Sequence, residues 1–308
     1  MNLLKETPAT IELSSSVKRA IRCVIYYSLF RYPLRFDELY LSESDKQKMD
    51  ELVASKKLFG LNNYYSTLEI KDNLERRLQG NKLYDQTIDR AIKRAKFIFQ
   101  FPFVEGVYIS GSMSKGFMTE DGDVDFFIVT KPGRLWLART ILILFKKVFL
   151  ANSRKFFCLN YFVDSDHLEI EEQNIFTATE LITLIPVCDR GVLGEFNQKN
   201  QWVKHFYPNA NFRIPLVGEC KKGFLFQVFE SVLKTKIGSW LDKRCMSLTL
   251  NVWKKKFGNF KPDDFDLALK SRTYVSKHHP QNFQKKVLTE FEERVNEFEK
   301  KHNLDLGL

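Results

Sequence analysis

Apolar positions recur at helical spacing over residues 17–30, at Val17, Ile21, Val24, Ile25 and Leu29. That spacing puts them on one face of a helix. Tyr32-Pro33 ends it, because proline disfavours helical backbone in the residue before it. A short second helix is expected over 36–41. A third is expected over 44–57, with Met49, Leu52 and Val53 inward and Ser44 as N-cap. Two β-prone runs then flank Asn62-Asn63, a hairpin signal.

Three helices and a hairpin within residues 1–73 read as a winged helix-turn-helix. A small helical packing module fits the same pattern. Residues 74–99 form a long, basic, amphipathic helix, with Gly80 as a candidate break and Pro102 beyond its end. Strands are expected over 104–110, 124–130 and 155–163, with a helix over 134–150 between the last two and a short return strand at 168–170. From Thr177 onward helix dominates, over 178–184, 198–206, 224–256 and 281–302. Strands do not alternate with helices throughout, so the class is α+β rather than doubly wound. The expected organisation is a winged-helix-like unit (1–73), a linking helix (74–102), a mixed α/β core (103–190) and an α-helical C-terminal region (191–308).

Composition narrows the class. Of 308 residues, 44% are hydrophobic and 28 are Phe, enough for a real core. Lys and Arg number 48 against 38 Asp and Glu, a net charge of 48 − 38 = +10. This suits a polyanionic partner such as nucleotide, nucleic acid or acidic lipid, although solvated lysine faces give the same sum. The five cysteines, Cys23, Cys158, Cys188, Cys220 and Cys245, contain no C-x-x-C pair. The spacing excludes a zinc ribbon and a disulfide-dense scaffold. The start of the chain lacks a basic stretch followed by an apolar run. The apolar stretch 135–150 is interrupted by Arg139, Lys146 and Lys147 and reads as a core helix rather than a membrane span. The expectation is a reduced, cytoplasmic protein with no membrane partner.

The chemistry concentrates in residues 107–130, VYISGSMSKGFMTEDGDVDFFIVT. A strand runs into Gly111-Ser112, and Asp123 and Asp125 flank Val124 at the start of a second strand. Residues i and i+2 of a strand share a face, so the two carboxylates project together and repel unless a cation sits between them. Oxygen ligands suit Mg²⁺ or Mn²⁺ rather than zinc. Gly111 permits close backbone approach, and N–H groups at the start of a following helix favour an anion. An EF-hand fails, with Phe126 at the glycine position and Pro132 where the bidentate Glu belongs. A Walker A loop fails at Phe117 and Met118. A polar turn accounts for Asp121-Gly122 but not for Asp125, because an unpaired acid is costly to bury.

Gly-Ser, a second glycine at Gly116, then Asp-x-Asp opening an apolar strand resembles the nucleotidyltransferase fold of the DNA polymerase β superfamily. The resemblance covers about residues 103–163 and looks closest to the small bacterial minimal nucleotidyltransferases and their aminoglycoside-modifying relatives. It implies a mixed sheet and Mg²⁺-dependent (or Mn²⁺-dependent) transfer of a nucleoside monophosphate from an NTP to an acceptor, with release of pyrophosphate. Asp123 and Asp125 would hold metal as the catalytic acids, and Gly111, Ser112 and Lys115 would bind the nucleotide. Arg134 is a further candidate for positive charge near the phosphates. The acceptor stays open between protein, small molecule and RNA. The alternative is an inactive nucleotide-binding regulator that contacts DNA through the winged helix.

Most members of that family carry a third carboxylate on a neighbouring strand, and some lack it. Here Asn160 stands in that strand, with Asp164 and Glu169 beyond it. The expectation is that Asn160 takes the third position and neither acid approaches the pair. No histidine has zinc spacing, and His278-His279 reads as surface. The four tryptophans read as core packing.

Overall fold

The computed structural model describes residues 13–153, 155–217, 220–278 and 282–307. The chain divides into two compact units. The first comprises the chain up to Leu78, with Phe206–Asn209 and Lys286–Leu308. The second comprises Gln79–His205 and Ala210–Lys285.

The first unit contains α1 (Ser15–Ser28), β1 (Leu34–Arg35), a 3-10 turn (Phe36–Leu39), α2 (Glu43–Ala54), β2 (Phe59–Leu61) and β3 (Tyr64–Ser66). The Ser14 hydroxyl accepts the Val17 N–H at 3.3 Å and so caps α1. The second expected helix is a single 3-10 turn. The third starts at Glu43, with Ser42 rather than Ser44 in the cap position. Asn62 and Asn63 both take positive φ, the turn geometry that joins β2 to β3. The antiparallel sheet has the order β1-β3-β2. Arg77, at the start of α3 (Lys71–Phe99), pairs with Glu38 at 2.7 Å and stacks over Tyr32.

The second unit is built on a six-stranded mixed sheet, β7-β4-β5-β6-β9-β8. Its strands are β4 (Val104–Ser110), β5 (Asp125–Thr130), β6 (Cys158–Asp164), β7 (Ile185–Asp189), β8 (Ser271–Arg272) and β9 (Val275–Lys277). Its helices are α4 (Gly111–Ser114), α5 (Leu135–Phe149), α6 (Ile175–Thr183), α7 (Leu193–Lys199), α8 (Phe224–Leu233), α9 (Lys236–Lys256) and α10 (Pro262–Ala268), with the first turn of α11 (Phe283–His302). β4 runs antiparallel to β5 and β7, and β5 parallel to β6. One core cluster lies on one sheet face, where Val107, Ile109, Phe126, Ile128 and Phe162 meet Trp136 of α5, while Tyr108 and Phe127 on the other face pack against Phe196 of α7.

Several expectations are corrected. α3 runs unbroken through Gly80, because Phe117 packs where a side chain at position 80 would stand. Its backbone is further engaged: the Gly80 carbonyl accepts the Met118 N–H at 3.1 Å, and Asn81 donates to the Gly116 carbonyl. Residues 168–170 form no return strand, since the Asn200 side chain bonds the Leu168 carbonyl at 2.8 Å and the Ile170 N–H at 3.0 Å. The expected helix 224–256 is two helices, broken at Lys234-Thr235. Cys188 and Cys220 form a disulfide, so the wholly reduced set is corrected at that pair. Their 32-residue separation hid it from spacing rules, while the fold brings their Cα atoms to 5.5 Å. Among the described residues no helix is long and apolar enough to cross a membrane.

Candidate active site

Strand register builds the site. Ser110 pairs with Asp125, and Asp125 pairs with Cys158, so the turn after β4 and the starts of β5 and β6 meet at one end of the sheet. Gly111 has φ +67°, and a Cβ there would collide with the Asp125 carboxylate. Glycine is therefore required twice, for the backbone and for the close approach. Val124 is buried, and its N–H and carbonyl bond Lys155 and Cys158 at 3.0 and 3.2 Å. Asp123 and Asp125, on either side of it, both line a cavity of about 710 Å³.

Asn160 donates to Asp125 Oδ1. It is the extra residue where the β5–β6 register shifts: Phe126 pairs with Leu159 and Phe127 with Tyr161. The Cys158 thiol donates to Asn160 Oδ1 at 3.2 Å. Burial pushes the Asp125 carboxyl up to about 7, and Glu180 and Asp123 add to that, while Cys158 and Lys115 oppose it. Burial and the Asp125 charge push the Cys158 thiol up to about 12, so it is no thiolate nucleophile at neutral pH.

Sequence reasoning missed Glu180. It lies on α6, and its carboxylate accepts the Gly111 N–H at 3.2 Å and the Lys115 ammonium at 2.8 Å. Lys115 also donates to the Gly111 carbonyl at 3.0 Å. The turn expected to face a triphosphate thus has two of its donors on an internal carboxylate. Ser112 is exposed and lines the cavity.

Other candidates fall elsewhere. Arg134 follows β5, beyond the strand end opposite Asp125, and bonds the Lys234 carbonyl at 2.9 Å. It is not a lining residue. Asp164 pairs with Thr130, five positions along β5 from Asp125, roughly 17 Å at strand rise. It bonds His167 at 2.7 Å. Glu169 accepts from Gln173 and does not line the cavity. His278, expected on the surface, lines the cavity 5.0 Å from Trp253. Trp240 is 57% exposed, so it is not core.

Asp123 and Asp125 present hard oxygen donors, and among the described residues no ammonium or guanidinium forms an ion pair with either. A buried carboxylate beside a second one fits Mg²⁺ or Mn²⁺. Among the described residues no group of three or more His, Cys, Asp or Glu is arranged to hold a metal ion.

Residues 88–176 match the family model of the nucleotidyltransferase domain. The matched stretch holds β4, β5 and β6 with Gly111, Asp123, Asp125 and Asn160, and it supports assignment to the nucleotidyltransferase family. No curated protein and no solved structure matches the chain.

Proposed function

We propose that the chain transfers a nucleoside monophosphate from an NTP to an acceptor, releasing pyrophosphate, with Mg²⁺ (or Mn²⁺) held by Asp123 and Asp125. The observation that carries this is Asp125, the first residue of β5, directly against the Gly111 turn, with Asp123 two residues earlier lining the same cavity. A divalent cation held there would neutralise both carboxylates and stabilise charge on the transferring phosphoryl group. Gly111 N–H, Ser112 and Lys115 then bind phosphate oxygens once Glu180 gives way. Asn160 fixes the orientation of Asp125. It cannot act as a base, because an amide takes up no proton near neutral pH.

The first unit fits a winged helix, with one helix, a strand, a 3-10 turn, a second helix and a β2–β3 wing. α2 carries Glu43, Asp45, Asp50 and Glu51 against Lys46 and Lys48. That charge balance speaks against docking this helix on duplex DNA.

One pair of observations favours the second reading, an inactive nucleotide-binding regulator: Asn160 stands in place of an acid, and Glu180 occupies the turn. Incubating the protein with each NTP, Mg²⁺ and cell extract, then reading mass shifts of protein and small molecules, decides between the two. Transfer that vanishes in Asp125→Asn supports the transferase. Nucleotide binding without any transfer supports the regulator.

A further inference from the structure

Arg139, on α5, is 7% exposed. Its guanidinium lies over the rings of Trp253 at 4.8 Å, Trp136 at 5.7 Å and Phe162 at 6.0 Å. Three other buried cations among the described residues have acids: Arg77 has Glu38, Lys222 has Glu230, and Lys270 has Glu171 and Glu172. Among the described residues no hydrogen bond or ion pair engages Arg139. Its pKa is pulled down to about 10 by burial, with no acid opposing the shift. A buried charge left like this is unfavourable unless a counter-charge arrives.

Arg139 lines the same cavity as Asp123 and Asp125. Lys146 and Lys147 of α5 and Lys256 of α9 line it too. Thr140, the next residue, also lines it, and its buried hydroxyl has no partner. On the Gly111 side, Lys115 is already paired with Glu180. Among the described residues Lys147 and Lys256, like Arg139, form no ion pair, and they place positive charge on the α5 and α9 walls across from the Gly111 side.

We infer that Arg139, with Lys147 and Lys256, forms a subsite for a phosphoryl group of the ligand. The guanidinium fork presents two parallel donors to an oxyanion, and the aromatic rings fix its plane. Several cations around one cavity suit a multivalent phosphate better than a lone carboxylate. The group can arrive as the polyphosphate tail of the donor or as a phosphate on the acceptor. Only this choice of source rests on the transferase reading, since anion binding itself needs no turnover.

The test uses the full chain with inorganic tripolyphosphate and no divalent metal, followed by calorimetry and thermal unfolding. Arg139→Met should bind tripolyphosphate at least tenfold more weakly than the parent. Without the anion it should melt at the same temperature or higher, because a buried unpaired charge is gone. Lys256→Ala should weaken binding without changing the melting temperature in the absence of anion. If Arg139→Met melts lower and binds tripolyphosphate like the parent, Arg139 serves packing alone and the subsite is rejected. If Arg139→Met does not fold, unchanged binding in both Lys256→Ala and Lys147→Ala rejects it equally. A second arm adds inorganic phosphate over saturating NTP–Mg²⁺. A loss in the variants confined to tripolyphosphate assigns the donor tail, and a loss in both arms assigns the acceptor phosphate. NTP turnover of the parent is scored separately. Its absence, with anion binding lost in the variants, rejects the transferase reading and leaves the subsite standing.

Discussion

Asn160 donates its side-chain amide to Asp125 across the parallel β5–β6 pair, at the one position where the register between those strands shifts. Placing a carboxylate there would set three acids around one point. Asn160→Asp should therefore melt below the parent in chelator, by about 1–2 kcal/mol of repulsion, or a few degrees for a chain of this size. Saturating Mg²⁺ should raise its melting temperature by more than it raises the parent's. Thermal unfolding with EDTA and with Mg²⁺ checks both signs, and equal Mg²⁺ effects would place the cation away from Asp125.

Asp125→Asn keeps the shape and removes a charge facing the proposed cation. Transfer should fall at least ~10²-fold, at ~1.4 kcal/mol per tenfold. Folding should survive, with equal or slightly higher stability in chelator, because repulsion with Asp123 and Glu180 is relieved. Initial rates and melting curves on one preparation measure both effects. Full turnover in the variant would move the site elsewhere.

Glu180 holds the Gly111 N–H and the Lys115 ammonium. A phosphate must compete with it for both donors. Glu180→Gln weakens the internal competitor, so nucleotide affinity should rise about tenfold, equivalent to ~1.4 kcal/mol. Calorimetric titration with a non-hydrolysable NTP reads this directly. A fall in affinity would make Glu180 a brace for the turn instead of a competitor.

Glu230 supplies the pH dependence. Burial pushes its carboxyl up, but hydrogen bonds from Lys131 and Lys222 outweigh that and bring it down to about 2. The folded pKa lies below the unfolded value of roughly 4.3, so this contribution is present above that pH and is lost as pH falls toward about 2. Glu230→Gln leaves the buried Lys222 without its acid, while Lys131 keeps Glu105 at 3.7 Å, and should cost about 3 kcal/mol at pH 7. The gap from the parent should close as unfolding is repeated down to pH 2. A gap that stayed constant would mean the ion pairs contribute nothing.

What could be read ahead of the structure was local. Alternation alone puts Asp123 and Asp125 together, and both line one cavity although β5 begins only at Asp125; Gly111 announces a turn by its type. The missing parts arise from distant segments. Glu180 reaches Gly111 from 69 residues along the chain. The family resemblance already puts Asn160 beside the pair, but the register shift that turns it toward Asp125 leaves no trace in residue type. Arg139 sits in an apolar helix, where it reads as an interruption. β7 carries Pro186, which weakens a strand signal, and the two-residue β8 and three-residue β9 are too short to show periodicity.

Gly80 has a cost as well as a place. Within a helix interior, glycine gives up about 1 kcal/mol relative to alanine. Alanine here would favour α3 taken alone, yet its methyl group would strike the Phe117 ring and lever apart the segment from Ser112 to Met118, whose far end is pinned to the Gly80 carbonyl. Local helix strength and the alignment of the Gly111–Ser112 turn are thus opposed at this one residue. Any search for thermostable variants that scores helices by propensity alone would select the substitution most apt to misalign the turn.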